Sequence, residues 1–134
     1  MKLMKSSFSG LVAQARAEFN CLNDNKDRED YLHLLEGKLS RFTWSHFGEK
    51  EFTNPKNKIR ARRIAYLSKV FLYELVLLAI KKDPNRIALV TYSRHIRRDA
   101  NAAWVRYEAA INTNQGSWWQ QIKFYFDARK FNSL

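Results

Sequence analysis

At 134 residues the chain fits one domain able to bury a core of its own, and 46% hydrophobic content with nine Phe, six Tyr and four Trp excludes a polypeptide that stays disordered. The net charge of +11 lies entirely beyond residue 54: residues 1–54 hold eight Lys/Arg against eight Asp/Glu, and residues 55–134 hold sixteen against five. Such an imbalance speaks of an acidic partner more than of a fold, and a lone cysteine, Cys21, excludes an internal disulfide and a thiolate zinc cluster.

Met1 to Lys5 leads into Ser6, Ser7 and Gly10 without a sustained apolar run, so no cleavable signal is read there. The expected location is the cytoplasm, or a host cytosol if the protein is secreted by a system that uses another signal. A first helix is predicted over about residues 8–22 from Leu11, Ala15, Phe19 and Leu22, with Cys21 expected as a buried thiol. A second is predicted over about residues 28–46, where Asp27 and Asp30 have capping-box spacing, Tyr31, Leu32, Leu35, Leu39 and Phe42 recur at helical intervals, and Gly48 is the stop.

Asn54-Pro55 and Asp83-Pro84 are the firmest boundaries, because a polar cap followed by proline at the first helical position is preset for a helix start. They predict a third helix from Pro55 to about Lys82. Leu67, Val70, Phe71, Leu75 and Leu78 form its main stripe, while Leu72, Val76 and Ile80 occupy other faces, the pattern of a central helix. Its apolar stretch, Ile64 to Ile80, is interrupted by Lys69 and Glu74 and falls short of the roughly 20 residues a membrane span needs. A fourth helix, Pro84 to about Ile111, puts Leu89, Tyr92, Ile96, Ala103, Tyr107 and Ala110 on one face and Arg94, Arg97, Arg98 and Asn101 on the other.

Asn112, Asn114 and Gly116 then mark a turn. Ser117 offers a cap for a last helix from Trp118, although Ile122, Phe124 and Phe126 also alternate as a strand would. With glycine only at 10, 37, 48 and 116 there is little room for hairpins, and no phosphate-cradling loop or dinucleotide fingerprint can be drawn. The expected architecture is all-α: residues 1–134 as a single compact domain of four or five helices around the long helix at about 55–82.

Two basic clusters are the candidate site. Lys56, Lys58, Arg60, Arg62 and Arg63 crowd the first turns of the central helix, where cations oppose the macrodipole. None has an acidic residue three or four positions away, so an external anion would relieve them. The bland alternative is a solvated face with tertiary acidic partners from residues 24–51. Arg94, Arg97, Arg98 and Asn101, with Trp104 at the edge, form the second. Arginine forks fit phosphates and a rim indole can stack on a base, unless Trp104 is core and the arginines merely solubilise. The two clusters are expected on one surface as an extended stripe.

Glu74 interrupts an apolar stripe and should be buried against an arginine or His95, a structural pair before a catalytic acid. His33, His46 and His95 lack metal-ligand spacing, so no metal and no cofactor is expected. The aromatic C-terminus, with Trp118, Trp119, Phe124, Phe126 and Phe131, is expected mostly as core with one tryptophan partly exposed.

The sequence therefore reads as a non-enzymatic binding module that docks basic helical faces on a polyanion, with nucleic acid backbone as the leading partner and little sequence specificity. The alternative is a small bacterial adaptor, inhibitor or secreted effector on an acidic protein surface. Anionic membrane lipid is a further partner of the same charge class.

Overall fold

Helix starts leave backbone N–H groups without partners, and this chain places an oxygen-bearing side chain at four such points. Ser7 Oγ accepts from Gly10 N at 3.0 Å, an Asp24 carboxylate oxygen from Lys26 N at 2.8 Å, and the Asn54 side chain from Lys56 N at 3.0 Å. Ser117 and Gln120 form a reciprocal capping box. The computed structural model describes residues 7–48, 54–114 and 116–134. It contains α1 (Phe8–Asn20), α2 (Asn25–Phe47), α3 (Pro55–Lys82), α4 (Ile87–Asn114) and α5 (Trp118–Asn132), with no strand among the described residues.

The third predicted helix has the bounds read from its two prolines, and the Ser117 cap decides the C-terminal ambiguity in favour of helix. Three boundaries differ. α2 starts earlier because Asp24, not Asp27, is its cap. A turn through Pro84, closed by Arg86 N to Asp83 O at 3.3 Å, delays α4 to Ile87. α4 then continues to Asn114, so Asn112 and Asn114 lie in its last turn. Gly116 passes so close to Ile59 and Ile111 that a Cβ there would meet their Cδ1 atoms at 3.1 and 3.0 Å. Its missing side chain lets α5 fold back onto α3. The expectation for Met1 to Lys5 concerns residues outside those described.

α3 and α4, each 28 residues and thus about 42 Å long, pack as antiparallel neighbours and carry the rest. At the end near their connecting turn, α1 and α2 add Phe19, Leu32, Leu35 and Leu39 to Phe71, Leu75, Leu89 and Ile96. At the other end Ile59, Tyr66, Val70, Trp104, Tyr107 and Ile111 pack with Phe124 and Phe131 of α5. α3 feeds both clusters, as its broad apolar arc predicts. Arg86 in the α3–α4 turn donates to both Glu29 oxygens, at 2.6 and 3.0 Å, tying the turn to α2 and holding the Glu29 carboxyl below its usual range. No described helix is long and apolar enough to cross a membrane.

Two expectations about single residues are corrected. Cys21 is exposed, because the helix ends before it and turns it outward. Glu74 is not buried: its side chain is 44% exposed and pairs with Arg16 of α1 at 3.3 Å. It lies at the edge of the stripe where α1 leaves α3 uncovered, and exposed pairs of this kind contribute about 0–1 kcal/mol.

Four phenols resist ionisation in this fold. Burial raises the pKa of Tyr31, Tyr66, Tyr92 and Tyr107, and Glu18, Asp127, Glu36 and Asp127 respectively push the same way, with Tyr66 raised to about 12. The unfolded chain ionises its phenols near the ordinary value of 10.0. The stabilisation is thus full below pH 10.0 and is lost as pH rises from there through the folded values. Alkaline titration should show these four phenolates appearing together with loss of helical circular dichroism. All six phenols titrating at the ordinary value while the helices persist would contradict it.

Candidate nucleic-acid interface

The 3.6-residue helical period splits the first basic cluster between two faces of α3. Lys58 and Arg62 turn toward Arg106 of α4 and line a small groove of about 220 Å³ with Ala109, Ala110 and Thr113. Arg62 is itself engaged by other groups. Lys56, Arg60 and Arg63 turn the other way, toward the start of α5. They line a larger groove of about 550 Å³ with Ser117, Trp119, Gln120 and Lys123.

Within that larger groove Arg63 is not available to a ligand. Its Nε donates to Asp127 at 2.8 Å and its Nη2 to the other oxygen at 3.4 Å, while Tyr107 donates its hydroxyl to Asp127 at 2.8 Å. Burial alone would lower the Arg63 pKa, and the Asp127 carboxylate overrides it and raises the value. The partner is a carboxylate of α5, outside the residue 24–51 segment from which tertiary partners were expected. Lys56, Arg60 and Lys123 are exposed and form no ion pair among the described residues.

Gln120 fixes the groove's floor. Its Nε2 donates to Lys56 O at 3.1 Å, and its Oε1 accepts from Ser117 N at 2.9 Å, so α5 is held against the first turn of α3. Trp119, 64% exposed, forms the rim.

The second basic cluster lies elsewhere. Arg94, Arg98 and Asn101 are exposed on the outer face of α4. The Arg97 guanidinium sits over the Tyr73 ring, 5.6 Å from its centroid, and its Nε donates to Asn101 Oδ1 at 3.4 Å. Tyr73 is ten residues beyond Arg63 on α3, about 15 Å of helical rise. Phe131, at the end of α5, packs on Tyr66 and Trp104, and the Arg97 charge reaches the Tyr66 hydroxyl. Arg97 therefore stands toward the C-terminal end of α5, and none of Arg94, Arg97 and Arg98 lines the larger groove at its start.

Trp104 requires the largest correction. It is 6% exposed and is a core residue, because α5 covers the face of α4 on which it lies. Trp119, expected in a mostly buried aromatic C-terminus with one tryptophan partly exposed, is exposed together with Trp118, and sequence reasoning passed over Lys123. Reading α5 as a helix from the Ser117 cap would have placed Trp119 and Lys123 four residues apart on one edge.

Glu36, His95 and Asp99 bring one potential ligand atom each within 4.8 Å of one another. Lys69 Nζ already lies between the carboxylates, 3.2 Å from Glu36 and 3.4 Å from Asp99, so a cation of the chain itself occupies the position a metal would take. Burial would raise the Glu36 pKa, but the Tyr92 hydroxyl at 2.8 Å and Lys69 outweigh it and hold the carboxyl below its usual range. The arrangement joins α2, α3 and α4. No family model, curated protein or solved structure matches the chain.

Proposed function

We propose that this chain is a non-enzymatic binding module that holds single-stranded nucleic acid in the groove between the start of α3 and α5. Lys56, Arg60 and Lys123 contact phosphates and Trp119 offers its ring to a base. What supports the reading is the meeting in one groove of three exposed cations and an exposed indole, beside a carboxylate, Asp127, already engaged by Arg63 and Tyr107. A strand gains from both features, since its phosphates seek cations and its unpaired bases seek aromatic faces. A duplex keeps its bases stacked and would gain only the charges. Low sequence specificity follows from the makeup of the groove, in which phosphate-seeking cations and a ring that stacks on any base carry the contact.

The test is titration with labelled single and double strands at several salt concentrations. The variant Lys56→Ala, Arg60→Ala, Lys123→Ala should flatten the slope of log affinity against log salt by about 0.7 per lost single-strand contact, about 2 in all. Trp119→Ala should weaken single strands by about 1–3 kcal/mol without shifting the unfolding midpoint. Absence of single-strand binding at low salt would reject the proposal, and an unchanged slope in the triple variant would reject the groove.

A further inference from the structure

α5 is apolar on two opposite sides. Its inner side, Phe124, Ala128 and Phe131, packs on the bundle. Its outer side carries Trp118 at 68% exposure and Tyr125 and Phe126 at 59% each, with the partly exposed Ile122 between them. These four residues and Gln121 line a shallow, open depression of about 430 Å³. A monomeric chain rarely leaves rings of this size contiguous in water without a surface to meet them.

The charges around the patch identify that surface. Lys123, Arg129 and Lys130 are exposed on the same helix, Lys123 and Lys130 along one edge and Arg129 at its C-terminal end. The helix's one acidic residue, Asp127, faces inward onto Arg63 and Tyr107. The covering partner must therefore be apolar beneath and anionic above. A second copy fits poorly, because it would bring another chain of net charge +11 and the same exposed cations against the patch. A protein partner would have to carry an apolar surface shaped to these four side chains and ringed by acidic groups, since α5 is held to the bundle by its inner rings and offers only the outer one. A bilayer needs one side only. Tryptophan, tyrosine and flanking cations are also the side chains that settle in its headgroup layer.

We propose that the outer face of α5 is a contact surface for bilayers containing anionic lipid, lying in the membrane plane. Trp118, Ile122, Tyr125 and Phe126 enter the headgroup boundary, and Arg129 and Lys130 meet lipid phosphates and carboxylates. The surface adjoins the groove proposed for nucleic acid, Trp118 meeting Trp119 at 4.9 Å between centroids, but uses other residues and stands or falls without it.

The full-length protein should partition onto phosphatidylcholine vesicles that contain phosphatidylserine, and far less onto phosphatidylcholine alone, with a blue shift of tryptophan emission. The variant Trp118→Ser, Phe126→Ser should lose at least tenfold in partitioning while keeping its helical circular dichroism. Arg129→Gln, Lys130→Gln should lose about fivefold per charge on the serine-containing vesicles. No partitioning at low salt would overturn the proposal. So would partitioning that Trp118→Ser, Phe126→Ser leaves unchanged, since net charge would then account for it. A dimer that this variant abolishes, or binding to soluble polyglutamate that it abolishes in place of vesicle binding, would assign the face to a second copy or to an acidic protein.

Discussion

Replacing Trp104 with alanine is expected to lower the free energy of unfolding by about 3–5 kcal/mol, measured by chemical denaturation. The indole lies between two near-parallel rings, Phe124 at 5.0 Å and Phe131 at 4.8 Å between centroids, and two more close its edges, Tyr66 at 5.1 Å and Tyr107 at 5.6 Å. Truncation removes the partner of both α5 phenylalanines at once and leaves a cavity that helices pinned at both ends cannot collapse. For a domain stabilised by about 5–15 kcal/mol this is a large fraction. Trp119→Ala is the control, since its exposed ring should leave the midpoint unmoved. If Trp104→Ala weakened nucleic-acid binding and spared stability, the residue would have the stacking role its sequence position suggests, and the packing described above would be wrong.

The second large effect is expected at Asp127. Asp127→Leu should cost about 3 kcal/mol, the low end for breaking a buried ion pair because Arg63 retains 29% side-chain exposure and can turn partly to water. The carboxylate has three hydrogen-bond donations from two residues, and its loss leaves the Tyr107 hydroxyl facing an apolar side chain. The variant Arg63→Met, Asp127→Leu, Tyr107→Phe should recover most of that loss, since apolar groups of similar volume leave no charge or hydroxyl unpaired. Strictly additive single and multiple variants would show that the three groups do not act as a unit.

Most of the fold was legible because its boundary signals are local. Asn54-Pro55 and Asp83-Pro84 act through fixed proline geometry and caps within a few residues, so α3 could be read without knowing what it touches. α2 was misplaced by the same logic, since Asp24, Asp27 and Asp30 are all capable caps, and the start at Asp24 goes with Arg28 reaching back to Asn25 and Leu22 O, contacts that spacing does not reveal. The candidate site was legible as charge but not as geometry. Sequence spacing shows that Arg63 lacks an acidic neighbour on its own helix, yet its partner lies 64 residues away. Trp104 and Trp119 are likewise indistinguishable by type, and what separates them is which faces of α4 and α5 meet. Glu74 was misjudged because an apolar stripe on a central helix does not reveal where a short neighbour such as α1 stops covering it.

The polar ties of α5 to α3, Arg63 to Asp127 and Gln120 to Lys56, each span 64 residues, as far along the chain as the ties of Arg86 to Glu29 and Arg16 to Glu74, 57 and 58 residues, that hold the other end of the bundle. With α5 undocked, Tyr66, Trp104 and Tyr107 would lose the cover of Phe124 and Phe131 and leave an aromatic seam in water. Docking of α5 seals that seam and presents its own outer rings, so one exposed aromatic surface is exchanged for another.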